Sequence, residues 1–553
     1  MPVLTPALLQ GEGDKPNNPV ADESRFGLQC GCAAEPMNSN NTPALLRSLI
    51  IYAMCVPLAI WIGFTLANPF DFATFSYAGI FALLLVAPIL LRWHHFLLIV
   101  TWNLGITIFF LPGRPPVWLL FTALSLGISL LQRTINERSR FLSAPSLSLP
   151  LFFFLAVLFF TAKLTGGIGL HSLGSQVSGG KKYITLFFAI LGYFALTARR
   201  IPPKHARLCI SLYFLLGFTH VVGDLYGHVP SALNIIFAFF PASGYGVESA
   251  PGMTDFHARY AGLGGAGSTG AFWMLAMYGL RGILLSGKPW RWALFGLFLL
   301  MAPLGGFRAG VIGLGLTMVF LFYIERLHRT NVMPFFIIAG LLAITVIIPF
   351  SDKLPYNFQR ALSFLPLKVA PEVRQDADAS SNWRLEIWRN EFPKVPQYLL
   401  LGRGYALTAE ELAQSSSQAF GATSSFHESE GATGNFHNGV LSVLIPLGIW
   451  GAIALLWFWF ASLRALYDNY RYGDPAFKTI NTFFFVSYVV SIIFFLFIFG
   501  AIEGDLSNFV VIAGLSVSLN GGIRRPAPAP ARVVDKHSDA PLARPRFQPF
   551  YPR

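Results

Sequence analysis

The chain of 553 residues is poor in charge, poor in cysteine and short of acid. Only 12% of it is charged, where ordinary soluble domains run near roughly a quarter. With 54% hydrophobic residues and a positive mean hydropathy, that scarcity excludes an ordinary soluble protein. Four cysteines are present: Cys30 and Cys32 in a polar N-terminal segment, Cys55 and Cys209 in or beside apolar runs. That placement implies neither a disulfide framework nor a metal site. The alternating ten-residue pattern of an outer-membrane barrel is missing, so helices are the spanning option left. The first 45 residues lack an apolar h-region, so no cleaved signal peptide is indicated. There is no repeat at a fixed period.

What the chain does have is long apolar runs. Stretches such as Leu149–Thr165, Phe335–Phe350 and Thr482–Gly500 are apolar enough for helices of about 20 residues, flanks included. By that criterion the sequence predicts an all-α polytopic membrane protein of about fourteen transmembrane helices. They fall near 46–66, 73–91, 95–112, 116–132, 149–166, 183–198 and 206–224, then near 265–285, 289–304, 309–326 and 333–350. The last three fall near 437–461, 480–500 and 504–520. Residues 231–242 are apolar but too short to span. The organisation expected is a disordered tail over 1–45, eleven spans in 46–350, a polar loop over 351–436, three spans in 437–520 and a disordered basic tail over 521–553.

Connections sort by charge. Arg92, Arg133, Arg138, Arg199, Arg200, Arg281, Lys288, Arg326, Arg329, Arg464, Arg471 and Arg524 fall in alternate loops. The positive-inside rule puts those loops and both termini in the cytoplasm and the 351–436 loop outside. Much of the net charge of +13 sits on that face and in the tail, where it orients the chain and meets anionic lipid. It does not argue for nucleic acid.

The outward loop collects the chemistry. Arg308 stands at the mouth of a span in Leu304-Gly305-Gly306-Phe307-Arg308-Ala309-Gly310, where glycines leave room beside a guanidinium. An arginine so near a membrane usually meets an anion; its plainer reading is a snorkelling interfacial residue. Arg384 lies on a helix-like segment, Asn382–Trp388, with Trp388 four positions on and on the same face. A guanidinium stacked on that indole suits bidentate phosphate binding. The plainer reading pairs Arg384 with Glu391. His437 and Asn438 sit where the loop re-enters the bilayer: histidine suits proton transfer near neutrality, and Asn438 could orient it or bind a sugar hydroxyl. A structural histidine is the alternative. His427, Glu428 and Glu430 lack HExxH or EF-hand spacing, and their Gly/Ser/Thr-rich surroundings, 414–434, read as a flap. Asp224, His228, Asp255, His257, Arg259, Glu503 and Asp505 are further outward polar groups of second rank.

Several short stretches, in order, carry a resemblance. They are Phe307-Arg308-Ala309-Gly310, Trp383-Arg384-Leu385-Glu386-Ile387-Trp388 and Leu401-Gly402-Arg403-Gly404-Tyr405, then His437-Asn438 and Leu444-Ile445-Pro446-Leu447-Gly448. Set around a long outward loop, they resemble the O-antigen ligase and polymerase family of C-type membrane glycosyltransferases, over roughly residues 255–460. Phe307 and Val440 depart from the family pattern, which has Ser and an aromatic near those places. The resemblance implies transfer of a glycan from an undecaprenyl-diphosphate carrier to a lipid core or growing polysaccharide at the outer face of the bacterial inner membrane. It implies essential roles for Arg308, Arg384 and His437, with Arg259, Trp388 and Asn438 as substrate-binding candidates. No cofactor or metal is expected. A glycan or lipid flippase is the competing class. A transporter would place ionisable groups near the midplane, whereas here they gather at one surface.

Overall fold

A computed structural model describes residues 72–111, 113–136, 141–167, 179–242, 259–407, 434 and 436–526, with scattered positions between 52 and 63. The expected span at 46–66, the flap at 414–433 and both tails lie largely or wholly outside these. The chain divides into two compact units, Met1–Val86 and Ala87–Arg553, and the site lies within the second.

Among the described residues the fold is helical, with one isolated bridge, Thr107 to Pro116, and no strand. In order come α1 (Phe72–Thr101), α2 (Val117–Ile135), α3 (Pro145–Thr165), α4 (Gly180–Thr197), α5 (Ala206–Leu215), α6 (Val221–Asp224) and α7 (Ile236–Phe239). Then follow α8 (Ala261–Leu284), α9 (Pro289–Met301), α10 (Arg308–Ile324) and α11 (Val332–Ile347). The loop holds α12 (Tyr356–Ala361), α13 (Pro371–Glu391) and α14 (Val395–Tyr398), and α15 (Gly439–Tyr472), α16 (Lys478–Phe497) and α17 (Ile502–Asn520) complete the chain.

Among the described residues six stretches are long and apolar enough to cross a membrane: Val117–Ile135, Pro145–Thr165, Pro203–Asp224, Gly439–Tyr472, Pro475–Phe497 and Ile502–Asn520. This is a helical membrane protein, but fourteen spans is more than these helices supply. The separate span expected at 95–112 does not form. Helix α1 runs unbroken through Arg92 and ends at Thr101, because His94 and His95 are buried and bonded rather than looped out. His94 meets the Ser125 hydroxyl at 2.9 Å and His95 the Leu196 carbonyl at 2.8 Å. Helices stand at the expected places from 289 to 347, but α9, α10 and α11 have 13, 17 and 16 residues, short of the ~20 needed. Helix α8 trades apolar bulk for glycine: a Cβ on Gly264 would lie 2.6 Å from the Gly305 nitrogen, so only glycine permits this approach.

Helix α17 is the most enclosed of the six, packed against α4 and α15. At its far end paired amides close the core: Asn481 and Asn520 exchange bonds of 3.0 and 2.9 Å, and Asn469 donates to the Ser516 hydroxyl at 3.0 Å. These buried amides thereby satisfy one another within the bundle.

Helix α15 has 34 residues but is interrupted at Gly448, with φ 64° and ψ −163°, just after Pro446. Proline removes a donor and glycine takes the left-handed turn, so helical hydrogen bonds are lost here. The Leu401–Tyr405 segment replaces them. Arg403 and Gly404 donate their backbone N–H groups to the carbonyls of Ile445 and Pro446 at 2.7 and 2.9 Å, and Ile449 donates to Leu399 at 2.6 Å. Two motifs far apart in sequence thus form one joint.

Candidate functional site

The site is built on α13. Its sequence opens with Pro371 at the first turn, has Glu372 beside it and Arg389 in the last turn, which suits the helix dipole at both ends. The helix begins eleven residues before Asn382, earlier than the segment legible in the sequence. One of its faces buries Val373, Ala377, Ile387 and Glu391. Ile387 packs with Phe436, Leu441 and Ile445, a small core that seats α13 on the start of α15. Burying Ile387 alone stabilises that seat by about 2 kcal/mol. The Trp388 indole fixes the same contact, donating to the Phe436 carbonyl at 3.0 Å.

Arg308, the first residue of α10, reaches this helix from below. It donates to the Ala377 carbonyl and the Ser381 hydroxyl, both at 3.1 Å. Arg384 is three residues beyond Ser381, one turn along the same helix. Its guanidinium lies 5.7 Å from the centre of the Phe499 ring. The His437 ring stands 5.1 Å from that same Phe499 and 4.9 Å from Trp383. Arg308, Arg384 and His437 therefore converge through α13 and Phe499, although 129 positions separate the first from the last (437 minus 308). His437 also holds φ +49°, a left-handed conformation costing about 1 kcal/mol in a non-glycine residue. Two flanking rings keep it there.

The other expected residues take supporting places. Asn438 caps α15, its side-chain oxygen accepting from the Leu441 N–H at 3.1 Å. The guanidinium of Arg384 covers Phe499, while the Trp388 N–H is committed to Phe436. Glu391 pairs with Lys394 at 2.7 Å, so the pairing of Arg384 with Glu391 gains no support. Arg259 pairs with Asp376 of α13 at 3.2 Å. Asp224 caps α8, accepting from Gly262 and Leu263 at 3.0 and 2.7 Å, and Glu503 pairs with Lys182 at 2.5 Å. His228 bonds its neighbour Tyr226 at 3.3 Å, and Asp505 accepts from the Ala501 N–H at 2.8 Å. Asp255, His257, His427, Glu428 and Glu430 lie outside the described residues. Among the described residues no three His, Cys, Asp or Glu side chains are grouped to hold a metal ion.

The sequence reading missed a cluster beside Arg308. Arg360 of α12 is buried; it pairs with Asp376 and donates to the Gly306 carbonyl at 2.6 Å, two residues before Arg308. Tyr356 donates to Asp376 at 2.9 Å. Burial opposes ionisation of Asp376, but the Arg360 bond and charge, Tyr356 and Arg259 outweigh it and hold the carboxyl below its usual range. Burial and the bond to Asp376 push the Tyr356 hydroxyl up to about 12, so it stays a donor at neutral pH. Two guanidiniums, those of Arg259 and Arg360, thus pair with one carboxylate, and Arg308 bonds the same helix nearby, within the field of Asp376 and Asp378. Asp376 does stand on α13 next to Ala377, whose carbonyl accepts from Arg308. Arg360 carried no comparable signal, because its partners, Asp376 and Gly306, come from two segments distant from it in the chain.

No curated protein and no solved structure matches the chain. Residues 293–456 match the family model of the O-antigen ligase, a stretch that holds Arg308, Arg360, Asp376, Arg384 and His437. The match points to glycan transfer in cell-envelope polysaccharide synthesis. By that match, residues 293–456 of this membrane protein are similar to the O-antigen ligase family.

Proposed function

We propose that the chain is an inverting, metal-independent glycosyltransferase that takes a glycan from an undecaprenyl-diphosphate carrier and passes it to a lipid core or growing polysaccharide. In this reading it spans the bacterial inner membrane, with both termini in the cytoplasm and the 351–436 loop at the outer face. The acceptor hydroxyl attacks the anomeric carbon, the bond from that carbon to the diphosphate oxygen breaks, and undecaprenyl diphosphate leaves. Arg308 and Arg384 hold the diphosphate, where charge develops as the bond breaks. Arg259 is a third cation for the donor once it leaves Asp376. His437 accepts the proton of the attacking hydroxyl. Trp388 and Asn438 act by fixing α13 and the His437 turn, with Asn438 able to present its amide to a sugar.

One observation carries this reading: a single loop helix gathers two arginines and a histidine that lie far apart in sequence, inside the stretch matched by the O-antigen ligase model. The test is transfer by purified protein given undecaprenyl-diphosphate glycan and candidate acceptors. Arg384→Ala and His437→Ala are each expected to lose most transfer. Unchanged rates in both would overturn the assignment. No transfer by the unaltered protein, together with movement of the glycolipid across liposomes, would favour a flippase.

A further inference from the structure

Helix α10 has a second end, and a cavity lies there. It measures about 860 Å³ and is almost wholly apolar. Ile283 and Leu284 of α8, Phe295 and Leu299 of α9, and Val319 and Phe322 of α10 form its walls, with α11 closing one side. Phe322 is fourteen residues past Arg308, about 21 Å along the helix, so this space is separate from the site under α13. Two glycines hollow it out: a Cβ on Gly296 or on Gly315 would meet nothing within 4 Å.

The rim of this end is basic. Four exposed cations adjoin its lining in sequence: Arg281 follows Leu280, Lys288 stands between Leu284 and Trp292, and Arg326 and Arg329 stand between Tyr323 and Met333. Residues 261–350 contain one acidic side chain, Glu325, and it is already engaged. Helix α8 breaks at Gly279, φ +66°, and the Glu325 carboxylate accepts the freed N–H groups of Leu280 and Arg281 at 3.1 and 2.5 Å. Arg291 is committed as well, to the Gly282 carbonyl at 2.8 Å and to the Tyr278 ring at 4.1 Å. The four remaining cations near this apolar cavity share that single carboxylate, whose charge acts on Arg281.

We propose that this is a binding site for a diacyl phospholipid with an anionic headgroup. Its acyl chains fill the cavity between α8, α9, α10 and α11, and its phosphate lies among Arg281, Lys288, Arg326 and Arg329. The apolar volume selects chains, and the rim selects charge. The site is independent of the transfer reaction and does not rest on it.

The test uses the full-length protein in detergent, with bound lipid read by native mass spectrometry. Phosphatidylglycerol and phosphatidylcholine of identical chains are offered together. Retention of phosphatidylglycerol in preference is expected, and the double variant Arg326→Gln, Arg329→Gln should cut that preference by about fivefold per charge removed. Gly315→Leu fills the cavity and should remove both lipids. Gly296→Leu fills it from the opposite wall, so loss in both variants with an unchanged elution profile supports the site even if one variant folds poorly. Equal retention of the two lipids by the unaltered protein would overturn the proposal. So would lipid retention untouched by both leucine variants, or displacement of phosphatidylglycerol by equimolar undecaprenyl phosphate.

Discussion

The two ends of helix α10 carry the same kind of charge in opposite settings. At one, Arg308 is drawn under α13, bonded to Ala377 and Ser381 and flanked by Arg360, Asp376 and Arg259. At the other, Arg326 and Arg329 stand exposed beside an apolar cavity. Positive charge alone therefore distinguishes nothing in this protein. What differs is whether a polar element closes over it: a guanidinium held by fixed donors and acceptors keeps one geometry, while an exposed one follows whatever anion lies nearby.

The difference can be broken from the closed side first. Arg308→Ala or Arg384→Ala is expected to lower glycan transfer about a hundredfold or more, the scale for removing one preorganised donor. Rates with defined donor and acceptor measure it. Gly402→Ala should come next, acting on folding. The residue sits at φ +75°, and an added Cβ would lie 2.3 Å from the Pro446 carbonyl oxygen, so the joint that sets α15 must open. A sharp loss of monodisperse protein in detergent is the expected readout.

Asp376→Asn should be milder but more telling. It leaves the buried Arg360 without its counter-charge, a change on the order of 2 kcal/mol after discounting for the partial exposure of Asp376. Thermal unfolding should fall by several degrees, and transfer should fall with it because Arg308 loses its fixed neighbour. The pH dependence follows from the lowered carboxyl. A group that binds its proton more weakly when folded stabilises the fold above its unfolded value, about 4, and loses that contribution as pH falls through the folded value. The unaltered protein should thus lose stability on acidification below about pH 4, and Asp376→Asn should flatten that fall. Smaller again, Asn438→Ala removes a helix cap and should cost about 1 kcal/mol, with transfer reduced only through displacement of His437. At the open end, Arg329→Gln should leave transfer within about twofold, as surface charges usually do.

Much of the candidate site's local arrangement was legible. Arg308 announced itself as a cation among glycines at a span boundary, Arg384 and Trp388 shared a helix face, and His437-Asn438 marked the end of the loop. Helical spacing is a local property, so a linear reading recovers it. The roles of supporting residues were less so. Trp388 looked like a stacking platform for Arg384, but its N–H anchors Phe436. Arg259 looked free for substrate and instead pairs with Asp376. Arg360 and Phe499 were invisible, because each acquires its place from a segment distant in the chain.

By itself the sequence determined the class: apolar runs with few charges permit only a helical membrane protein, since backbone groups in lipid must be satisfied within the helix. It also determined where the polar loop interrupts those runs. Only the tertiary structure decided that α1 runs through Arg92, that the Leu401–Tyr405 segment mends the break in α15, and that one carboxylate pairs with two arginines. Those outcomes depend on pairing between distant segments. Hydropathy sums over neighbours and cannot register which distant partner satisfies a buried donor.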